Sequence, residues 1–375
     1  MSAAAPADVL IIGGGIAGYT TATTLRTLGY SGPITIVEHD PSCGDHPPLS
    51  KNALVDGAAR ADLDFATPQR FDELGIAVES GVAATGVTAE GVALSDGRVL
   101  TAAALVVAVG AEPNRPTVPG ADDPRVVTLR GYDDAVRIRA AAGPGSTVLV
   151  LGGGFIGAEV AASLRQLGAA VVLVDPHELP GASVLGETLA GWMRELHAGN
   201  GVDLRTTTVR SIEPGSTADA PLRVTLGDGT TVAADLVVAG VGVSPRTLAG
   251  IELVESAGGI VLAPTAHWDA ARLDGADAAA RLLGQEPEPR GAAWYWTDRY
   301  DAHIEIVGEL VGDGEEIVRP GVAVFRVDGD RLLGAASVND PNTVRAARRI
   351  IDRGVSVDRA ALADPSIPLR QMLKG

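Results

Sequence analysis

The chain has 375 residues, a formal net charge of −17 and one cysteine, Cys43. The length allows two or three domains, each with its own core. The acidic balance argues against nucleic acid or an anionic membrane as main partner, and a lone cysteine excludes an internal disulfide, a CxxC redox pair and a thiolate zinc site.

The first apolar run, Val9–Ile12, has no basic segment before it and leads into a glycine loop, so it reads as a first strand and not as a signal peptide. No run has the length of a membrane span, and the cytoplasm is the expected location. Gly13-x-Gly15-x-x-Gly18 follows the strand and opens a helix. In such a loop Gly13 permits the tight turn, Gly15 lets backbone approach a diphosphate, and Gly18 lets helix and strand pack closely. The diphosphate then sits at the positive end of the helix dipole. The next strand, Ile34–Val37, closes on Glu38, an acceptor for ribose hydroxyls. Further on come His46-Pro47-Pro48-Leu49-Ser50-Lys51, the strand-like stretch GIAVES, an Asp96-Gly97 turn and the apolar run that ends in Ala108-Val109-Gly110.

The same plan then repeats. Val148–Leu151 leads into Gly152-x-Gly154-x-x-Gly157 and a helix, and the strand AVVLVD ends on Asp175. After it come GVDLRT, an Asp228-Gly229 turn and the apolar run through Gly242. Asp175 accepts hydrogen bonds from a free 2′-hydroxyl and repels a 2′-phosphate, which favours NAD over NADP. Two dinucleotide units on one chain imply a bound FAD and a visiting NADH, with electrons passing from nicotinamide to flavin.

Gly259–Leu262 reads as a short strand, and a helix is expected to start at Trp268, only a few residues later. From about residue 291 a third region shows strands at Ala302–Val307, Gly321–Val327 and Arg331–Ser337. A helix follows, with Asp340 as N-cap, Pro341 at its first position and Gly354 after its end. Val344, Ala347 and Ile351 share its inward face. Arg345, Arg349 and Arg353, with Arg348 adjacent, form a basic stripe that reads as a solvated face or as a docking surface for an acidic protein. The histidines show no metal-ligand spacing, and no metal site is expected.

These motifs resemble those of the FAD-dependent pyridine nucleotide oxidoreductases, above all the ferredoxin and rubredoxin reductases that serve P450s and aromatic-ring dioxygenases. His46-Pro47-Pro48-Leu49-Ser50-Lys51 is similar to the family's RPPLSK, with His46 in place of arginine. Ala108-Val109-Gly110 stands where the family has ATG, and Trp294-Tyr295-Trp296-Thr297-Asp298 resembles its W-x-W-S-D run. The resemblance implies an α/β fold with two Rossmann-like, three-layer FAD- and NAD-binding domains and a C-terminal α+β interface domain. The FAD part would take 1–118 and 258–290, shortened near 262–266, the NAD part 119–257, and the interface domain 291–375. It implies that Lys51 pairs with Glu159 near the flavin N5 edge and that Trp296 lies against the flavin, these three being the catalytic candidates. Gly13, Gly15, Gly18, Glu38, Lys51, Ala108, Gly110, Gly152, Gly154, Gly157, Asp175, Gly242 and Trp296 are the cofactor-binding candidates. NADH and a ferredoxin-like iron–sulfur protein are the implied partners, with a homodimer left open.

One family segment has no counterpart. Relatives carry a T-S-x-P-x-I-Y-A-x-G-D strand, whose Gly-Asp binds the ribityl and diphosphate, between the strand at Ile260 and the helix at Trp268. Gly227-Asp228 and Gly312-Asp313 read as turns, and Gly44-Asp45 precedes the PPLSK segment. The loss is expected to weaken FAD and to leave neighbouring strands without backbone partners. It keeps open a flavin-poor, NADH-binding remnant, while Cys43 keeps open a single-cysteine peroxidase or disulfide reductase.

Overall fold

A computed structural model describes residues 5–217, 220–256, 259–262, 267–321 and 323–374. The chain divides into two compact units. One takes the residues up to Pro48, Ala58–Glu112 and Val243–Arg290; the other takes Leu49–Gly57, Pro113–Gly242 and the chain from Gly291 on.

The first unit is built on a five-stranded parallel sheet in the order Ile260–Val261, Ala104–Val107, Val9–Ile12, Ile34–Glu38, Ile76–Ser80. The central strand, VLII, is buried along its whole length, as a strand covered on both faces must be. One face carries the helices Ile16–Thr27 and Trp268–Leu282, which bury Leu25, Ala278 and Ala279 against Ile11 and Ile36. These helices touch at backbone distance. A Cβ on Gly275 would stand 2.2 Å from the Ala17 carbonyl oxygen, and Thr21 Oγ1 donates to the Gly275 carbonyl at 3.0 Å. The other face packs Leu10, Ile12 and Val107 against Val92 and Leu94 of a small antiparallel sheet.

The expectation that a missing strand strips its neighbours of partners is not met. Ile260–Val261 pairs in parallel with Ala104–Val107, Ile260 opposite Val106 and Val261 opposite Val107. The Leu262 N–H then donates to the Val107 carbonyl at 2.9 Å. The short GGIVL stretch itself fills the sheet edge, because its β-branched residues meet the apolar pattern of the strand beside it. The helix begins at Trp268, as its sequence implies. The connector at 263–266 lies outside the described residues.

The second unit repeats the scheme with a parallel sheet in the order Asp203–Thr206, Ala170–Asp175, Thr147–Leu151, Leu236–Ala239, Val126–Thr128. Beside it lies an antiparallel sheet of Val209–Glu213, Leu222–Leu226 and Thr231–Ala234. The C-terminal stretch adds an antiparallel sheet in the order Trp294–Arg299, Ala302–Gly308, Arg331–Val338, Ala323–Asp328, Glu315–Arg319. Its first and last strands have no counterpart in the strands read from the sequence. The helix Pro341–Arg353 ends as its signals imply: the Asp340 side chain accepts from the Thr343 N–H, and Gly354 closes it at φ +60°. Ile350 is buried beside Val344 and Ala347, and Ile351 is only half-buried. Among the described residues no helix is long and apolar enough to cross a membrane.

Candidate functional site

Each parallel sheet presents a glycine loop at the carboxyl end of its central strand. In the first loop, Gly13 has φ +103° and its missing Cβ would collide with the Ala108 carbonyl at 2.4 Å. A Cβ on Gly18 would lie 1.9 Å from the Gly13 carbonyl. Protein packing therefore demands both glycines. Gly15 differs. Its φ of −66° is open to any residue, and the nearest atom to an added Cβ is His46 Cε1 at 3.9 Å. Nothing described in the protein requires glycine there, and its bare surface leaves room for a ligand to approach the backbone.

The second loop repeats the pattern. A Cβ on Gly152 would meet the Gly240 carbonyl at 2.4 Å, and one on Gly157 the Gly152 carbonyl at 2.0 Å. Gly154, at φ −64°, has nothing within 4 Å of an added Cβ. Gly15 and Gly154 are the N-caps of 12-residue helices, with no side-chain cap and no acid in the first turn. The N–H groups and positive dipole ends of both helices thus face outward without a carboxylate competing for them. The residues present fit a diphosphate at each loop.

The two acids sit alike. Glu38 Oε2 accepts from the Gly14 N–H at 2.5 Å and Oε1 from the Asp40 N–H at 2.9 Å. Asp175 Oδ2 accepts from the Gly153 N–H at 2.8 Å and Oδ1 from the His177 N–H at 2.8 Å. Each carboxylate keeps acceptor capacity for a ribose hydroxyl. Burial alone would raise the Glu38 pKa, but hydrogen bonds from His39, Asp40 and Gly14 outweigh it and hold the carboxyl below its ordinary range. Ala108 closes the apolar strand, its N–H donating to the Ile12 carbonyl. Gly110 and Gly242 both have positive φ, +65° and +90°.

The remaining candidates gather in the second unit around Glu159, which lies on the helix Phe155–Gln166 and is 5% exposed. Lys51 Nζ stands 3.2 Å from Glu159 Oε1 and 3.6 Å from Asp298 Oδ2. Ser50 Oγ and Thr297 Oγ1 also donate to Glu159, at 2.5 and 2.7 Å. Ser163 Oγ donates to the Ser50 carbonyl at 2.6 Å, tying Ser50 to that helix. Trp296 stacks on Trp294 at 4.9 Å, and Lys51 Nζ lies 5.9 Å from the Trp296 ring centre.

Cys43 shows no sign of redox chemistry. It is 2% exposed, and burial, aided by the charges of Glu38 and Asp64, pushes its thiol up to about 12. Reactive cysteines are the reverse, with lowered pKa and access to solvent. Its sulfur fills the space beside Gly14.

The sequence reading missed Gly240, the counterpart of Ala108, although the internal repeat carries that signal. It also missed Ser50, Ser163 and Thr297 as partners of Glu159, whose distances in sequence no local pattern spans. A further feature is a cavity of about 30 Å³ behind Asp175, lined by Gly153, Met193, His197 and Arg299. Among the described residues, no protein group hydrogen-bonds His197 Nε2 or Arg299 Nε there. The space suits water.

Comparison with known proteins agrees with this architecture. Residues 7–267 match the family model described as pyridine nucleotide-disulphide oxidoreductase, and residues 294–373 match the reductase C-terminal model. The chain is 31% identical to the ferredoxin–NAD(+) reductase component of the p-cumate 2,3-dioxygenase system of Pseudomonas putida, over 96% of this chain and 97% of that one. It is 34% identical to the ferredoxin–NAD(+) reductase component of the anthranilate 1,2-dioxygenase system of Burkholderia cepacia, over 97% and 98%. Among solved structures, it is similar to the reductase in the covalent putidaredoxin reductase–putidaredoxin complex, with a TM-score of 0.89, 29% identity and 98% of each chain covered. With both models matched in order and the relatives covered nearly end to end, this chain belongs to the pyridine nucleotide-disulphide oxidoreductases of the ferredoxin-reductase type.

Proposed function

We propose that the chain takes a hydride from NADH and passes electrons, through FAD, to a ferredoxin-like iron–sulfur protein. The observation that carries this reading is the pair of loop glycines, Gly15 and Gly154, each leaving its surface bare where a buried parallel strand turns into a helix, as close approach of a diphosphate requires. The names of the relatives, reductase components that join NAD+ to ferredoxin, support the same direction of flow.

Bound FAD accepts electrons as a pair and releases them singly. The protein's own residues supply the rest. The first loop and its helix terminus hold the FAD diphosphate, and Glu38 takes the ribose hydroxyls. The second loop holds NADH in the same way, with Asp175 discriminating against a 2′-phosphate. In this reading Lys51, paired with Glu159, places positive charge where the reaction gathers electrons, and Trp296 covers the ring. The three-part division at 118, 257 and 290, a cytoplasmic location and an open question of dimerisation belong to the same reading.

Purified protein should be yellow, bleach on addition of NADH, and reduce a ferredoxin faster than it reduces oxygen. A colourless protein that binds NADH and takes up no added FAD overturns the reading.

A further inference from the structure

We propose that His303 is the outlet through which the proton released in each catalytic cycle leaves the Lys51–Glu159 site for solvent. The inference rests on the function proposed above. NADH yields NAD+, two electrons and one proton. Two one-electron iron–sulfur acceptors take the electrons and no proton, so one proton per NADH must reach water.

A file of ionisable groups, joined first by an ion pair and then by hydrogen bonds, leads from Lys51 outward. Lys51 Nζ is 3.6 Å from Asp298 Oδ2, Asp298 Oδ1 is 2.5 Å from His303 Nδ1, and His303 Nε2 is 3.1 Å from Glu305 Oε1. The antiparallel register makes the file: Asp298 lies opposite His303, and Trp296 opposite Glu305, which sets these side chains on one face of the sheet. Glu305 is itself held, since its Oε2 accepts from Trp294 Nε1 at 2.9 Å. Side-chain exposure rises from 6% at Glu159 and 15% at Lys51 to 34% at Asp298 and 41% at His303, and falls again to 9% at Glu305. His303 is thus the member that meets solvent, with Glu305 a buried branch from it.

The transfer balances. Lys51 Nζ–H gives its proton to Asp298 Oδ2, the carboxyl turns to present it to His303 Nδ1, and His303 gives its Nε2 proton to water in exchange for its bond to Glu305; the exposed ring then trades its Nδ1 proton for one at Nε2 through solvent, which restores the starting tautomer. Lys51 regains a proton from the reaction. Imidazole suits the middle of such a file because it takes a proton at one nitrogen and releases it at the other. The charged groups facing His303 are Asp298 on the neighbouring strand and Glu305 on its own; Asn339 binds its backbone N–H and carries no charge. Burial would lower the His303 pKa, but its hydrogen bonds to Asp298 and Glu305 outweigh that and raise it.

The test is His303→Gln in the FAD-loaded protein, followed by stopped flow in two halves. NADH should bleach the flavin within about twofold of the wild-type rate. Reoxidation by ferredoxin should slow by about tenfold, with a larger solvent deuterium effect and partial rescue by added imidazole. A second readout needs no turnover: in protein labelled with ¹³C-histidine, the His303 resonance should titrate above the ordinary histidine range and fall when Asp298→Asn is introduced. Should the melting curve show His303→Gln to be misfolded, Asp298→Asn interrupts the file one step earlier and should slow the same half. Equal slowing of both halves, reoxidation at the wild-type rate, or a His303 titration indifferent to Asp298→Asn overturns the outlet. Wild-type flavin that NADH does not bleach overturns the parent reading instead; wild-type bleaching with unimpaired reoxidation in His303→Gln removes the outlet alone.

Discussion

The two glycine loops are near copies in backbone and differ in what stands behind them. Behind Glu38 lies the Cys43 sulfur, and the carboxylate, with its side chain 7% exposed, is also gripped by His39 at 2.6 Å. Behind Asp175 lies a cavity of about 30 Å³ with both apolar and charged lining, and its other neighbour, His177, has a side chain 78% exposed. The first acid is set in a filled wall, the second beside a cavity that has room for water. A filled wall suits a cofactor that stays, and one with room for water suits a nucleotide that leaves every cycle.

The largest effect should come from charging the bare glycines. Gly15→Asp gives its helix a better N-cap, so melting temperature should hold or rise, while flavin affinity falls on the order of 100-fold through repulsion of the diphosphate. Gly154→Asp should leave the protein yellow and unable to be bleached by NADH at ordinary concentrations. Gly18→Ala should do the opposite to Gly15→Asp, costing about 1–3 kcal/mol of stability because the added methyl meets backbone. If Gly15→Asp unfolds the chain, the loop glycine serves packing and the comparison fails.

A smaller effect separates the acids. Glu38→Gln should weaken FAD by about tenfold, as loss of a charge-assisted hydrogen bond does. Asp175→Asn should relax the preference for NADH over NADPH by a similar factor, read from kcat/KM with each nucleotide. Unchanged nucleotide preference would remove Asp175 as the discriminating group.

The smallest effect probes the wall of that cavity. Burial, with the nearby Arg299 charge, lowers the His197 pKa from 6.5 to about 3. Between those values the unfolded chain binds a proton that the folded chain does not. Stability is therefore whole above pH 6.5 and falls as the pH drops below it, by about 1.4 kcal/mol per pH unit from this group. His197→Gln retains a partner for the Tyr300 hydroxyl, which His197 Nδ1 now meets at 2.9 Å, and should flatten that slope in denaturant titrations between pH 7 and 5.

What the sequence disclosed follows from the range over which each feature is decided. The loops, the acids at the strand ends and the caps of Pro341–Arg353 are set by neighbours a few residues away, and they are legible. The edge pairing of Ile260–Val261 is decided by a strand about 150 positions earlier, so a motif search finds a gap where the described residues show a pairing. The partners of Glu159 come from both ends of the chain, and only the PPLSK resemblance hints at one of them. His303 beside Asp298 is a matter of register across a tight turn; the alternation Trp294, Trp296, Asp298 is the trace it leaves, visible once that run is taken as a strand.

Leu49–Gly57, though it sits early in the chain, is counted with the unit that otherwise begins at Pro113. Anyone wishing to express that unit separately cannot simply truncate at 113. The fragment would lose Ser50 and Lys51, and Glu159 would be stranded as a buried carboxylate short of two donors. A workable piece needs the short peptide supplied in trans or grafted on by circular permutation, and the ease of that complementation would measure how tightly a nine-residue graft can anchor a domain.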